Sequence, residues 1–381
     1  MRGDNLARKR KKVFENPNSA DQQFDDDAKR PRNDGFGKQM SRNIADYSNY
    51  KPKQITNIES FKAQLGSSKA ITSWLDYVNL DISAQESIVQ QFFESGGQLN
   101  DILSGMDKVF EMQALQSRDY TAFFNMCRSI IMIISRNENP TTCFGGRGLP
   151  FALELCRVLL DDYMEEITRA LAPKSPVEGT LSVLRLLTVM ITMPGSNAVK
   201  MVLAKLDWDS EVWVNLSNRA GVKYFKRKND KEEKRKKETK NGMDLQDSTK
   251  IRTYYIHFLL SFLLEPIPSV LKEFFEKKTR LGSIFDGLIY DKAETVLLVL
   301  ETLRTKVIDS PHVLKTYKMR LFSSLRVLNL FALECWKGED DRKNYNGQDA
   351  IEIRTSLFSM LERLFTSFKS GLVFQVNYSF T

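Results

Sequence analysis

From about residue 57 to residue 370, apolar side chains return every three or four positions, and no stretch alternates strongly enough to demand a β-sheet. Such a chain has only helix faces to bury, so it must fold by packing helices on helices. Phe61, Leu65, Ile71, Trp74, Leu75 and Val78 begin the first face. Leu99–Leu115 follows, then Tyr120–Ile134, where Phe123, Phe124, Cys127, Ile130, Ile131 and Ile134 form a broad stripe. Leu181–Ile191 is apolar on most sides and reads as a central helix. Further helices are expected at 149–171, 198–206, 251–264, 267–277, 281–289, 291–308, 312–335 and 350–370, with Leu298 buried inside Val296–Leu300. Ser83-Ala-Gln-Glu86 and Ser175-Pro-Val-Glu178 have capping-box spacing, the second with Pro176 at the first helical position. The pattern predicts an all-α fold, an irregular α-solenoid of armadillo- or HEAT-like stacked helices without an identity-level repeat.

Charge divides the chain differently. The net charge is +8, but residues 1–12 carry +5 and residues 226–240 another +5, which leaves −2 for everything else. The positive charge is thus expected on two appendages and not on the folded body. Residues 1–56 keep no apolar period and are expected to form a disordered tail. Within that tail, Arg8, Lys9, Arg10, Lys11 and Lys12, then Lys29, Arg30 and Arg32, are candidate nuclear-targeting clusters. The remainder, 57–381, is expected to be one helical domain interrupted by a charged loop at about 223–250. In that loop Lys226, Arg227, Lys228, Lys231, Lys234, Arg235, Lys236 and Lys237 are candidate RNA contacts, with Tyr224 and Phe225 available for stacking. Glu232 and Glu233 precede Lys236 and Lys237 by four residues, which suits a solvated charged helix equally well. Both readings stay open from the residues alone.

Catalytic chemistry is sparse. There are two histidines, His257 in an apolar helix and His312 in a turn, neither with a second ligand at metal spacing. His257 is expected in the core. Cys143-Phe-Gly-Gly-Arg-Gly148 is glycine-rich, but no strand precedes it and no Gly-Lys-Ser/Thr follows, so it reads as a flexible turn rather than a phosphate cradle. The acidic pairs Asp161-Asp162 and Glu165-Glu166 lie on a polar helix side. Cys127, Cys143, Cys156 and Cys335 have no paired spacing and read as small hydrophobes in a reducing compartment. No apolar run reaches the roughly 18 residues of a membrane span; Leu181–Met193 comes nearest and is broken by Arg185 and Thr188. A soluble intracellular protein without enzyme activity, cofactor or metal is the expectation.

Three stretches carry a family resemblance: Leu186–Lys200 (LLTVMITMPGSNAVK), Ile251–Leu264, and above all Leu281–Leu288 through Thr302-Leu-Arg-Thr-Lys-Val307 to Lys315–Phe322. Together with Leu364–Phe374 they resemble the N-terminal domain of the nucleolar pre-ribosomal-associated protein 1 family, roughly over residues 60–374 and most firmly over 181–330. The resemblance implies a non-catalytic nucleolar scaffold in early large (60S) subunit assembly and ribosomal RNA processing or folding. Its implied partners are a sister scaffold, a DEAD-box helicase, precursor ribosomal RNA and small nucleolar RNA, with no membrane. Family members continue well beyond the last matched stretch, so the chain is expected to be a fragment, an isoform or a short member. From another class, a nuclear adaptor that binds only protein, for transport or chromatin, also fits a helical array.

Overall fold

The computed structural model describes residues 50–112, 120–172, 175–206, 245–265, 267–285, 288, 291–308, 315–317, 319–321, 323–326, 328–329 and 347–367. Fourteen helices are named here from those residues: α1 (Ile58–Leu65), α2 (Ala70–Val78), α3 (Ile82–Glu94), α4 (Leu99–Met112), α5 (Thr121–Arg136), α6 (Gly148–Asp162), α7 (Met164–Ala170), α8 (Val177–Thr192), α9 (Asn197–Lys205), α10 (Leu245–Leu264), α11 (Pro268–Glu276), α12 (Lys278–Phe285), α13 (Ala293–Thr302) and α14 (Gly347–Ser367). A π-helical turn, Leu303–Ile308, extends α13, and positions 315–329 are helical wherever described. Among the described residues there is no strand, so the all-α class holds.

Helix starts differ from the capping boxes. Asp81, not Ser83, caps α3: its backbone is extended and its carboxylate accepts from the Ala84 amide at 2.7 Å. Aspartate caps as well as serine, and its earlier position leaves Ser83 inside the first turn. For α8, Pro176 stands one residue before the helix, and the Ser175 hydroxyl donates backwards to the Arg169 carbonyl. The Thr180 hydroxyl donates to the Ala170 carbonyl at 2.9 Å, so this helix start is tied to the end of α7 and has no side-chain cap. The expected helix over 149–171 breaks at Tyr163, whose ring is buried 6.0 Å from that of Phe123.

Packing runs from helix to helix. α2 lies on α5, α5 on α8, α8 on α10, α10 on α13 and α13 on α14. Trp74 meets Phe123 at 5.2 Å across the first of these seams. α8 is the central helix expected: Leu181, Val183, Leu184, Leu186, Leu187, Met190 and Ile191 are all buried. Truncating one such leucine to alanine costs about 2–5 kcal/mol. α6 packs on α5 and α4 on α1, the latter at close range. A Cβ added to Gly105 of α4 would stand 2.0 Å from the Leu65 carbonyl oxygen and 2.6 Å from the Ala70 Cβ. In α13, Val296, Val299 and Leu300 are buried while Leu298 is only half-buried, which corrects the expectation for Leu298. The helix turns about 100° per residue, so Val296, Val299 and Leu300 share the inner face and Leu298 points nearly away from it.

The glycine-rich segment is a docked turn, not a loose one. Phe144 and Gly145 adopt left-handed backbone angles (φ 53° and 68°), which places the Phe144 ring flat against Phe93 at 4.6 Å. Arg147 crosses the Phe93 ring and donates to the Phe93 carbonyl.

Candidate interaction surface

The basic run Lys226–Lys237, with Tyr224 and Phe225, and the clusters Arg8–Lys12 and Lys29–Arg32 lie outside the described residues. His312 and Cys335 lie outside them too. Cys127, Cys143 and Cys156 are buried free thiols. Burial pushes the Cys156 thiol up to about 12 and the Cys127 thiol well above its ordinary range, so both are poor nucleophiles. Among the described residues no group of His, Cys, Asp and Glu is arranged to hold a metal, and no helix is long and apolar enough to cross a membrane.

What the fold does bring together is a set of arginines from distant parts of the chain. α5, α8 and α10 are neighbours, and each keeps one stripe out of the core. On α5 it carries Asn125, Arg128 and Met132; on α8, Arg185, Thr188 and Val189; on α10, Lys250, Tyr254 and His257. The Arg185 guanidinium lies 4.4 Å from the centre of the Tyr254 ring and donates to the Tyr254 hydroxyl at 3.1 Å. A cation stacked on an aromatic face in a partly dry setting gains about 1 kcal/mol and loses rotamer freedom, so this guanidinium is held in place. Arg128 is half-buried, and its Nε is buried without a hydrogen-bond acceptor. Burial first, and then the charge of Arg185, hold its pKa below the usual arginine range, although it remains a cation at any physiological pH. His257 is correspondingly not a core histidine; it sits on the exposed stripe, and partial burial lowers its pKa.

The arginine of α10 itself faces the opposite way. Arg252 is fully buried and forms a fork with Asp291, Nε to Oδ1 at 2.6 Å and Nη2 to Oδ2 at 2.8 Å. Its Nη2 also donates to the Ile284 carbonyl at 3.1 Å. Burial pushes the Asp291 carboxyl up, and the Arg252 charge opposes that push. The fork ties α10 to the end of α12 and the start of α13, and thereby fixes the rotation of α10 that presents Tyr254, two residues later, on the outer side.

Sequence reading missed the outer stripe because its members are far apart; Arg185 and Tyr254 are 69 residues from each other. One signal was present. Arg128 and Arg185 have no carboxylate three or four positions away, whereas Arg157, Arg169 and Arg304 all do. An arginine inside an apolar helix without such a neighbour has to be neutralised from elsewhere.

The described residues thus define an all-helical protein that offers an arginine–tyrosine stripe on its surface and no assembled catalytic group. The chain belongs to the Npa1 family, described as Ribosome 60S biogenesis N-terminal, which matches residues 110–381. It is 30% identical over 131 residues to human (Homo sapiens) nucleolar pre-ribosomal-associated protein 1, covering 32% of this chain and 6% of that protein. It is 24% identical over 274 residues to the mouse (Mus musculus) protein of the same name, covering 70% of this chain and 11% of that one. The chain therefore spans only a small part of the length of these relatives. No solved structure matches it.

Proposed function

We propose that this chain is a helical, non-catalytic scaffold segment acting in the nucleolus during early assembly of the large ribosomal subunit and the processing or folding of its RNA. The observation that supports this reading most is the family match over residues 110–381, which takes in every helix from α5 to α14. In the proposal, the succession α2–α5–α8–α10–α13–α14 is the spine of an irregular α-solenoid, a form that works by offering length for binding. Precursor ribosomal RNA, small nucleolar RNA, a sister scaffold and a DEAD-box helicase are the partners this role calls for. The clusters at Arg8–Lys12 and Lys29–Arg32 would carry the chain into the nucleus. The run Lys226–Lys237 would add a salt-sensitive contact without sequence preference.

The test is to tag the chain in its own cells, purify it gently from nuclear extract and sequence the RNA recovered with it. Enrichment of large-subunit precursors and small nucleolar RNA is the expected result. Protein partners recovered without such RNA would replace this reading with that of a nuclear protein adaptor. Converting Lys234, Arg235, Lys236 and Lys237 to alanine should weaken binding alike across unrelated RNAs and flatten its salt dependence; an unchanged slope would make the run a solvated loop.

A further inference from the structure

The stripe across α5, α8 and α10 carries two arginines whose charge no carboxylate among the described residues meets. Neither Arg128 nor Arg185 pairs with a carboxylate among the described residues, and the terminal nitrogens of Arg128 donate to none of those residues. α5 contains no acidic residue, α8 contains only Glu178, and α10 contains only Asp247, about two turns before Tyr254. Arg136 extends the same basic field by two turns. Holding two cations close together and partly out of water is unfavourable unless an anion joins them. A planar guanidinium satisfies phosphate with two parallel hydrogen bonds, which makes it the preferred group for that anion.

We propose that this stripe binds the phosphate backbone of an RNA strand, Arg128 and Arg185 each donating to phosphate oxygens and Tyr254 holding the Arg185 guanidinium in position. An acidic peptide is disfavoured by the surroundings. Peptide recognition relies on apolar anchors in pockets, yet among the described residues of these three helices the only exposed large hydrophobic side chain is Leu264, at the far end of α10. The proposal rests on the assembly reading only for naming RNA as the polyanion; the unanswered charge stands without it.

The test uses the full chain carrying alanine at Lys234, Arg235, Lys236 and Lys237, so that the basic run does not mask the stripe. The probe is a labelled single-stranded RNA of mixed sequence, about 20 nucleotides long, followed by fluorescence anisotropy. Replacing Arg128→Gln and Arg185→Gln together should weaken binding at least about tenfold and lower the salt slope by about 1.4, the value for two phosphate contacts on a single strand. Thr188→Glu, which places a negative charge one turn from Arg185, should weaken binding in the same direction and guards against a fold-specific failure of the first variant. Affinity and slope unchanged in both variants would overturn the site. Polyglutamate that competes as well as RNA of equal charge would overturn the choice of RNA in favour of an acidic protein. In nuclear extract, the double variant should still sediment with large-subunit precursors but lose RNA crosslinks at Tyr254. A wild-type chain absent from those particles, with the loss of affinity in vitro still seen, would overturn the assembly reading and uphold the site.

Discussion

Arg157 on α6 and Arg185 on α8 both belong to helices packed on α5, and they are wired in opposite ways. Arg157 is enclosed by its own helix: two bonds to Glu154 at 2.9 and 2.6 Å and one to Asp161 at 2.6 Å, with all three side chains about half exposed. The Arg157 contacts hold the Glu154 carboxyl below the usual range, and the two carboxylates push the Arg157 guanidinium higher. Its charge is spent locally, within one turn on either side. Arg185 reaches across to another helix, finds an aromatic ring instead of a carboxylate, and keeps its full charge for whatever approaches. The same residue type therefore serves solubility on one helix and recognition on the next. The difference lies in what stands three or four residues away.

The comparison is sharpened most by a third arginine, the buried Arg252. Asp291→Ala would take both carboxylate bonds of the fork from a guanidinium held in the core, and a urea titration should show a loss of about 3–5 kcal/mol. A loss near zero would mean that the fork does not hold α10, and with it the presentation of Tyr254. Arg185→Gln should shift stability by no more than about 1 kcal/mol in either direction, because lost stacking on Tyr254 is offset by relief of the repulsion with Arg128. Its RNA affinity should nevertheless fall severalfold, so binding and stability separate at this position. A large drop in melting temperature would make Arg185 a packing residue and break the comparison. Arg157→Gln should leave RNA affinity within about twofold of the parent, because its charge is already matched; a loss equal to that of Arg185→Gln would show that any surface arginine suffices. Smallest of all, Cys127 and Cys156 should resist iodoacetamide at about pH 8 in the folded chain and react once it is denatured, since their raised pKa values keep the thiolate scarce.

Much of the helix order was legible because it is local. Periodicity places Thr121–Arg136 and Val177–Thr192 within a few residues, since apolar spacing and burial report the same geometry. Caps were less legible: Asp81 and Ser83 both suit the role, and only the backbone angles decide between them. Tyr163 breaks a helix that its neighbours would have continued, for the sake of a contact with Phe123 that no local pattern records. The surface stripe is the extreme case. Its charge was counted but its location was not, because a sum of −2 for the body says nothing of two arginines gathered from separate helices. The placement of His257 on the outside depends in the same way on which side of α10 Arg252 secures.

Gly105 shows how narrow the tolerance of such a packing can be. Every other amino acid brings a carbon to the place where the Leu65 carbonyl oxygen already lies 2.0 Å away, so no codon reachable from glycine encodes a mild replacement there. In most helices a glycine-to-alanine exchange gains about 1 kcal/mol. At this position the exchange that improves the helix on its own would prise α4 away from α1, and a gene drifting toward better helix formers would be checked at one nucleotide.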